Sequence, residues 1–192
     1  MKEKGGRGKG GAGELPDTAR GHVPKKTPSL GFAVGVVSST RFREARRGEP
    51  TSDLTIPVAR QEVEDHPPFR VALESFLPDD QAAVRRFVRG CVEDPSVDVV
   101  VLSGGTGLSA KDRTVEACRP LFELELPGFG ETFRWLSFQQ VGAAAILSRA
   151  TAGIVGGKPV YCVPGSPKAV KLALRELILP AAAHVWKELR KE

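Results

Sequence analysis

Short apolar runs alternate with amphipathic segments from residue 31 to the end of the chain. Three runs rich in valine and other β-formers predict strands over residues 32–37, 69–76 and 97–102. Apolar residues at helical spacing, or a proline suited to a first helical turn, predict helices over residues 57–65, 80–91, 114–122, 131–147 and 168–191. Strands that alternate with helices indicate an α/β fold of three layers, in which a mostly parallel sheet is covered by helices on both faces.

The segments between these elements carry turn and loop signals. We expect a polar loop over residues 41–50, a turn over residues 127–130 and a short extended piece ending at Leu126. Two β-branched runs, residues 151–155 and 159–163, flank Gly156-Gly157, which predicts a β-hairpin. Asp79 stands where the N-cap of the helix that follows Pro78-Asp79-Asp80 is expected.

The net charge of +5 over 192 residues is unevenly distributed. Residues 1–30 hold seven basic and three acidic residues, so they carry four of the five net positive charges. They are rich in glycine and contain no aromatic residue, which predicts a disordered tail ahead of one domain over residues 31–192. A nucleic-acid-binding arm is the alternative, but it lacks stacking aromatics, so we expect no nucleic-acid partner.

Composition also excludes several classes of protein. No apolar stretch reaches the roughly 18–20 residues of a membrane helix, and the N-terminus lacks the apolar core of a secretory signal. The three cysteines are far apart, which argues against a disulfide framework and favours a reducing, cytoplasmic environment. The three histidines form no zinc-binding pattern, so a zinc hydrolase is not expected.

Two glycine-containing loops follow predicted strands and are candidates for anion binding. In Ser103-Gly104-Gly105-Thr106-Gly107, residues without a Cβ let backbone N–H groups approach phosphate oxygens. Pro164-Gly165-Ser166-Pro167 leads into a helix, whose N-terminus attracts anions. A simple strand-ending turn and a simple Ser166 helix cap are the alternatives, and the first loop matches neither a Walker A nor a dinucleotide motif.

Two carboxylates follow strands at the same predicted rim of the sheet. Asp79 and Asp112 opposite bound phosphates would need a bridging cation, for which Mg²⁺ is the usual choice. Arg149 and Lys168 are candidates for neutralising phosphate charge. Helix capping by Asp79, a solvated charge at Asp112 and surface ion pairs of the basic residues remain the alternatives.

Taken in order along the chain, these motifs resemble those of a known family. The series comprises the 103–107 loop, Asp112, Pro127-Gly128-Phe129-Gly130-Glu131, Ala145-Ile146-Leu147-Ser148-Arg149, Ala152-Gly153 and the 164–167 loop. It is similar to that of the MoaB/MogA molybdenum cofactor biosynthesis proteins, which are related to the G domains of gephyrin and plant Cnx proteins. The sequences of residues 107–112 and 133–138 are closer to the MoaB branch, and the resemblance covers residue 31 to the C-terminus.

The resemblance implies the molybdopterin-binding fold and a molybdopterin adenylyltransferase. Such an enzyme uses Mg²⁺ to join ATP and molybdopterin into adenylyl-molybdopterin, with release of pyrophosphate. By motif, Asp112 and Asp79 would be catalytic and bind Mg²⁺, and the substrates would contact the residues Gly104, Gly105, Thr106, Gly107, Glu131, Ser148, Arg149, Gly165 and Ser166. The family also implies a homo-oligomer, a trimer or a hexamer, and partner enzymes of the cofactor pathway.

Two segments depart from the family pattern. Ser38-Ser39-Thr40 stands where members usually carry a Ser-Asp pair, and Pro50-Thr51-Ser52-Asp53 replaces an Asp-x-Ser-Gly turn. Pro57 also lies inside the expected helix. These changes lie in a loop expected near the substrate pocket, so a non-catalytic molybdopterin-binding or scaffold protein is the alternative function.

Overall fold

The computed structural model describes residues 27–191. Within that part of the chain, the strands are β1 Gly31–Val37, β2 Arg70–Leu77, β3 Val99–Ser103, β4 Leu124–Glu125, β5 Thr151–Val155 and β6 Lys158–Val163. The α-helices are α1 Ser39–Arg46, α2 Thr55–Glu64, α3 Gln81–Glu93, α4 Thr114–Cys118, α5 Pro127–Val141, α6 Pro167–Ala173 and α7 Leu179–Glu188. Turns of 3₁₀-helix follow α4 and α5, and a π-helical turn over Leu174–Ile178 joins α6 to α7.

The strands form one six-stranded sheet in the order β2-β1-β3-β6-β5-β4. The pairs β1–β2, β1–β3 and β3–β6 are parallel, while β5–β6 and β4–β5 are antiparallel. The central strand β3 therefore lies between β1 and β6, which are distant along the chain. Parallel order places the carboxyl ends of β1, β3 and β6 at one edge of the sheet, where ligands of α/β proteins bind.

Two apolar layers cover the sheet and confirm the predicted three-layer architecture. Alternate residues of each central strand face opposite sides: Val99 and Val101 of β3 join one cluster, and Val100 and Leu102 join the other. The first cluster packs against α2, α5, α6 and α7, and the second packs against α3 and α4. Strands buried on both faces need apolar residues at every position, which is why they are continuous apolar runs in the sequence.

The predicted hairpin is confirmed, and its turn explains the two glycines. Strands β5 and β6 pair in antiparallel fashion around Gly156-Gly157. Gly156 has φ of 55° and Gly157 has φ of 70°. A two-residue hairpin turn of this kind requires positive φ at both central positions, which glycine adopts without strain.

Three predicted segments differ from the structure. The expected polar loop over residues 41–50 is wrong for most of its length, because α1 occupies Ser39–Arg46 without burying any residue. The expected turn over residues 127–130 is wrong, because Pro127 begins α5. The long C-terminal helix is interrupted by the π-helical turn, just before Pro180 in the first turn of α7. Proline lacks the N–H group that a continuous α-helix needs there.

The N-cap prediction at Asp79 is also wrong by one residue. Asp80 is the N-cap of α3, and its Oδ1 accepts a hydrogen bond of 2.7 Å from the Ala83 backbone N–H. Asp79 is thereby left for another partner, described below. Asp53, in the segment that departs from the family pattern, precedes Leu54, the N-cap of α2, and its Oδ2 accepts a 2.7 Å hydrogen bond from Ile56 N–H in the first turn. Pro57 is then in the first turn of α2, where its missing N–H costs nothing.

The tail predicted over residues 1–30 lies outside the described residues up to residue 26. Leu30, the last residue of the predicted tail, is fully buried, and its carbonyl oxygen accepts a hydrogen bond from Arg70 N–H. Among residues 27–191, none of the helices combines the length and apolar character that crossing a membrane requires.

Candidate functional site

A cavity of about 780 Å³ opens at the carboxyl edge of the central strands. Strand β1 reaches it at Val37, the loop after β3 contributes residues 104–107, and the loop after β6 contributes residues 164–166. Helices α5 and α6 close its other side. The cavity therefore occupies the position where a mostly parallel sheet presents its loops to a ligand.

The loop after β3 is shaped by two glycines with positive φ. Gly104 has φ of 106° and Gly105 has φ of 66°. A Cβ on Gly104 would lie 2.5 Å from the Val37 carbonyl oxygen, so the backbone approaches β1 too closely for a side chain. The buried Thr114 holds the loop from below, since its Oγ1 donates a 2.7 Å hydrogen bond to the Gly104 carbonyl. The loop is consequently a fixed cradle of backbone groups facing the cavity.

The loop after β6 lies directly against this cradle. A Cβ on Gly165 would be 3.2 Å from the Gly104 Cα, and Gly104 N–H donates a 3.0 Å hydrogen bond to the Val163 carbonyl. Ser166 caps α6, because its Oγ accepts a 3.2 Å hydrogen bond from Ala169 N–H. The capping alternative for Ser166 is thus correct, and the same residue also lines the cavity.

Asp112 lies at the end of the loop formed by residues 107–112, which we call the Asp112 loop. Its Oδ2 accepts a 2.8 Å hydrogen bond from Ser109 N–H, while its own N–H donates to the Ser109 carbonyl at 2.9 Å. A Cβ on Gly107 would lie 2.9 Å from the same carboxylate oxygen. The loop therefore folds back so that Asp112 adjoins the glycine cradle and lines the cavity.

Asp79 lines the same cavity from the other side of β1. Its Oδ2 accepts a 2.9 Å hydrogen bond from Ser39 N–H, and its N–H donates a 3.0 Å hydrogen bond to Ser39 Oγ. This reciprocal pair joins the end of β2 to the start of α1 across 40 residues of sequence. The two carboxylates predicted to share one rim therefore do line one cavity.

The half of the cavity opposite the loops is mostly apolar and was not predicted from the sequence. Phe133 is almost fully buried, and Val141, Ala144, Leu147 and Leu172 extend the same wall. Two polar side chains interrupt it one helical turn apart on α5, the nearly buried Ser137 and the exposed Gln140. Residues three apart share one face of a helix, but this spacing does not indicate a binding site until the structure shows that α5 lines the cavity.

Two residues of the expected binding set do not line this cavity. Glu131 and Arg149 face a separate depression of about 500 Å³ beside α4 and α5. Ser148 and Lys168 line the cavity as expected. The Arg149 guanidinium is turned away because it is bonded to the carbonyl oxygens of Gly107 and Asp112, each at 2.8 Å. It also forms an ion pair with Glu116. Arg149 therefore contacts the back of the Asp112 loop.

The ion pair with Arg149 affects the ionisation of Glu116. Partial burial favours the neutral carboxyl, but hydrogen bonding and charge attraction from Arg149 outweigh it, so the pKa of Glu116 is lowered. Glu116 Oε2 is buried and forms no hydrogen bond within the described part of the chain. The carboxylate thus depends on Arg149 for its stabilisation.

The donor set of the cavity fits a cation held jointly with substrate phosphates. Each carboxylate engages one backbone N–H through Oδ2, and no hydrogen bond within residues 27–191 involves either Oδ1. That region contains no cluster of three or more His, Cys, Asp or Glu side chains arranged to hold a metal. Mg²⁺ usually takes only one or two carboxylates together with phosphates and water, so Asp79 and Asp112 suit it.

Comparisons of sequence point to one family. A family model described as a probable molybdopterin binding domain matches residues 36–184. Molybdenum cofactor biosynthesis protein B of Bacillus subtilis is 48% identical over 123 residues, which are 64% of this chain and 72% of that protein. The protein of the same name from Staphylococcus aureus strain MRSA252 is 41% identical over 160 residues, 83% of this chain and 91% of the relative.

Comparisons of structure agree. A crystal structure of molybdenum cofactor biosynthesis protein B superposes with a TM-score of 0.79 at 32% identity, covering 88% of this chain and all of the other. The tungsten cofactor synthesizing protein MoaB of Pyrococcus furiosus gives a TM-score of 0.74 at 35% identity, covering 88% and 99% of the two chains. With the sheet order, the two glycine loops and the paired aspartates already in place, this chain belongs to the MoaB/MogA family of molybdopterin-binding domains.

Proposed function

We propose that this protein acts in the biosynthesis of the molybdenum or tungsten cofactor by transferring an adenylyl group from ATP to molybdopterin. The observation that supports this most directly is the single cavity that brings together the 104–107 cradle, Ser166, Asp79 and Asp112. Backbone N–H groups and carboxylates in one pocket suit phosphate groups bridged by a cation. The family membership and the names of the relatives support the same pathway.

The proposed reaction requires little acid–base chemistry from the protein. A terminal phosphate oxygen of molybdopterin attacks the α-phosphorus of ATP, and a new phosphorus–oxygen bond forms there. The bond from the α-phosphorus to the oxygen that bridges to the β-phosphate breaks, and pyrophosphate leaves with that electron pair. Because the attacking phosphate is already ionised at neutral pH, positioning and charge stabilisation supply the acceleration.

Different parts of the cavity would bind the phosphates, the cation and the pterin. The Gly104 N–H is already bonded to the Val163 carbonyl, so the N–H groups of Gly105, Thr106 and Gly107 would hold phosphate oxygens. Lys168 at the cavity would add a positive charge. Asp79 and Asp112 would hold Mg²⁺, which when bound neutralises phosphate charge in the transition state. The apolar wall with Phe133 would receive the face of a flat heterocycle, and Ser137 and Gln140 would offer hydrogen bonds to its edge.

The second candidate is a molybdopterin-binding or scaffold protein that performs no transfer. One observation favours it. Ser39 stands where family members usually carry an aspartate, and it forms two reciprocal hydrogen bonds with Asp79. In this function the cavity would bind the pterin, and ATP would not be consumed.

A direct assay separates the two candidates. Purified protein is incubated with molybdopterin, ATP and Mg²⁺, and adenylyl-molybdopterin and pyrophosphate are quantified, with an active family enzyme as positive control. Product formation supports the transferase. Tight molybdopterin binding without any product contradicts it and supports the non-catalytic candidate.

We also propose a homo-oligomer, a trimer or a hexamer. Large apolar side chains that do not line the cavity are exposed along α5 and the 3₁₀ turn that follows it: Trp135, Phe138 and Ile146. Exposed apolar residues in such number are typical of a surface that another subunit covers. Light scattering coupled to size-exclusion chromatography tests this, and a monomer at micromolar concentration would contradict it.

A further inference from the structure

One arginine joins the two ends of the loop that carries Asp112. Arg149 Nε donates to the Gly107 carbonyl at 2.8 Å, and Nη2 donates to the Asp112 carbonyl at 2.8 Å. The Arg149 backbone N–H adds a 3.0 Å hydrogen bond to the Thr106 carbonyl. A planar guanidinium with several fixed donors can hold two carbonyl groups and a carboxylate at once, which a lysine ammonium does less well.

The Asp112 loop has little else to keep it in place. Residues 108–111 are exposed, so no buried apolar side chain anchors the loop. Its internal hydrogen bonds join Ser109 to Asp112 and to Lys111, and the exposed Arg113 next to the loop donates a 3.0 Å hydrogen bond to the Ala110 carbonyl. These local bonds fix the turn without joining it to another element of the fold. The Arg149 contacts therefore supply the connection between this loop and the start of β5.

Glu116 completes the arrangement from α4. Its Oε1 pairs with Arg149 Nη1, the terminal nitrogen that contacts neither carbonyl. Glu116 thereby fixes the rotation of the guanidinium, and its second oxygen is buried without a partner among the described residues. The pair adjoins the cavity only through the backbone of the loop, so neither side chain touches the space where substrates would bind.

We propose that Arg149 and Glu116 are positioning residues that hold the Asp112 loop so that the Asp112 carboxylate faces the cavity. This inference rests on the proposed transferase function for its kinetic consequences. It differs from a substrate-binding function for Arg149, because the guanidinium acts on the protein backbone and not on phosphate.

Kinetics test whether the pair acts through Asp112. Arg149→Lys and Glu116→Gln should lower kcat, with Arg149→Lys reaching about 10²-fold, the loss typical of a reacting group displaced by about 1 Å. The KM for molybdopterin should stay within about threefold, since the apolar wall and residues 164–168 are untouched. In an Asp112→Asn background, Arg149→Lys should cause almost no further loss. Independent, fully multiplicative losses would overturn the proposal.

A matched control comes from the same side of the molecule. Arg119 and Glu125 form an ion pair of 2.9 Å beside the same depression but contact no part of the Asp112 loop. Arg119→Gln should leave both kcat and KM unchanged. A loss in this variant as large as that of Arg149→Lys would attribute the effect to general changes of charge and would overturn the proposal.

A second measurement does not depend on the reaction. Amide hydrogen exchange at residues 108–112 should become faster in Arg149→Lys and, to a smaller degree, in Glu116→Gln, while exchange in β3 stays unchanged. If the wild-type protein forms no adenylylated product, the transferase function fails but this prediction stands. Unchanged exchange of the loop in both variants would overturn the positioning function whatever the activity.

Discussion

Replacing Gly104 by alanine perturbs the glycine cradle after β3 directly. The residue has φ of 106°, a conformation that side chains rarely adopt, and an added Cβ would lie 2.5 Å from the Val37 carbonyl oxygen. That oxygen belongs to the last residue of β1, which is buried and paired with β2. The clash therefore cannot be relieved by rotating a flexible side chain.

The positive φ of Gly104 and the contact of an added Cβ with Val37 together set the expected loss of stability. A residue forced into a sparsely populated backbone region costs about 1–3 kcal/mol, and the contact with β1 places this site at the upper end of that range. For a protein of this size, 1 kcal/mol corresponds to about 2–4 °C in Tm. We expect Gly104→Ala to lower the free energy of unfolding by about 3 kcal/mol and the Tm by about 6–12 °C.

Urea unfolding followed by circular dichroism measures this directly, with wild type and variant at equal protein concentration because subunit association would raise apparent stability. Gly90→Ala is the matched control, since a Cβ there meets no atom within 4 Å and the residue lies in α3. It should be neutral or stabilising by up to about 1 kcal/mol. A Gly104→Ala variant within about 0.5 kcal/mol of wild type would refute the strain argument.

Three further predictions concern ionisable groups. In the proposed reaction Asp112 would hold Mg²⁺, which supplies several kcal/mol of charge stabilisation, so Asp112→Asn should lower turnover by about 10²-fold or more with an unchanged circular dichroism spectrum; near-normal turnover contradicts this. The pKa of Glu116 is lowered in the fold, so its pair with Arg149 stabilises the protein above the ordinary pKa of 4.5 and this contribution is lost as pH falls below it. The free energy of unfolding, measured by urea titration from pH 7 to 3, should decline less steeply in Glu116→Gln than in wild type. Equal slopes would contradict a stabilising pair of Glu116 with Arg149. All three cysteines are buried, and burial raises the pKa of Cys91 to about 12, so none should react with a thiol reagent at pH 8 before unfolding; rapid labelling of native protein would contradict that.

The sheet and its glycine loops were predictable because their signals are local. Buried valine runs mark β1 and β3, and the loop that follows β3 is explained by glycines whose φ values only they adopt easily. Helix α1 was missed since it buries no residue, so it has no apolar stripe to reveal it. Its Ser38 cap is the one local sign of a helix start, and the arginines around it suit a loop equally well.

The site itself was predictable in part. Both aspartates and both loops come together as expected, because the carboxyl ends of parallel strands share an edge. The reciprocal bonding of Asp79 with Ser39 and the turning of Arg149 toward the Asp112 loop depend on contacts across 37 to 42 residues. Such partners are chosen by tertiary packing, and no spacing rule in one sequence encodes them.

The pairing of β3 with β6 sets the order in which the protein can acquire its site. Gly104 N–H is bonded to the carbonyl of Val163, and Ser103 Oγ is bonded to that of Pro164, so the cradle is finished by a segment about 60 residues later. During synthesis the N-terminal strands emerge first, so β3 is made before β6, the strand it pairs with. A nascent chain released before β6 would possess both aspartates and most of the glycines, yet it would lack the strand that shapes them into a binding site.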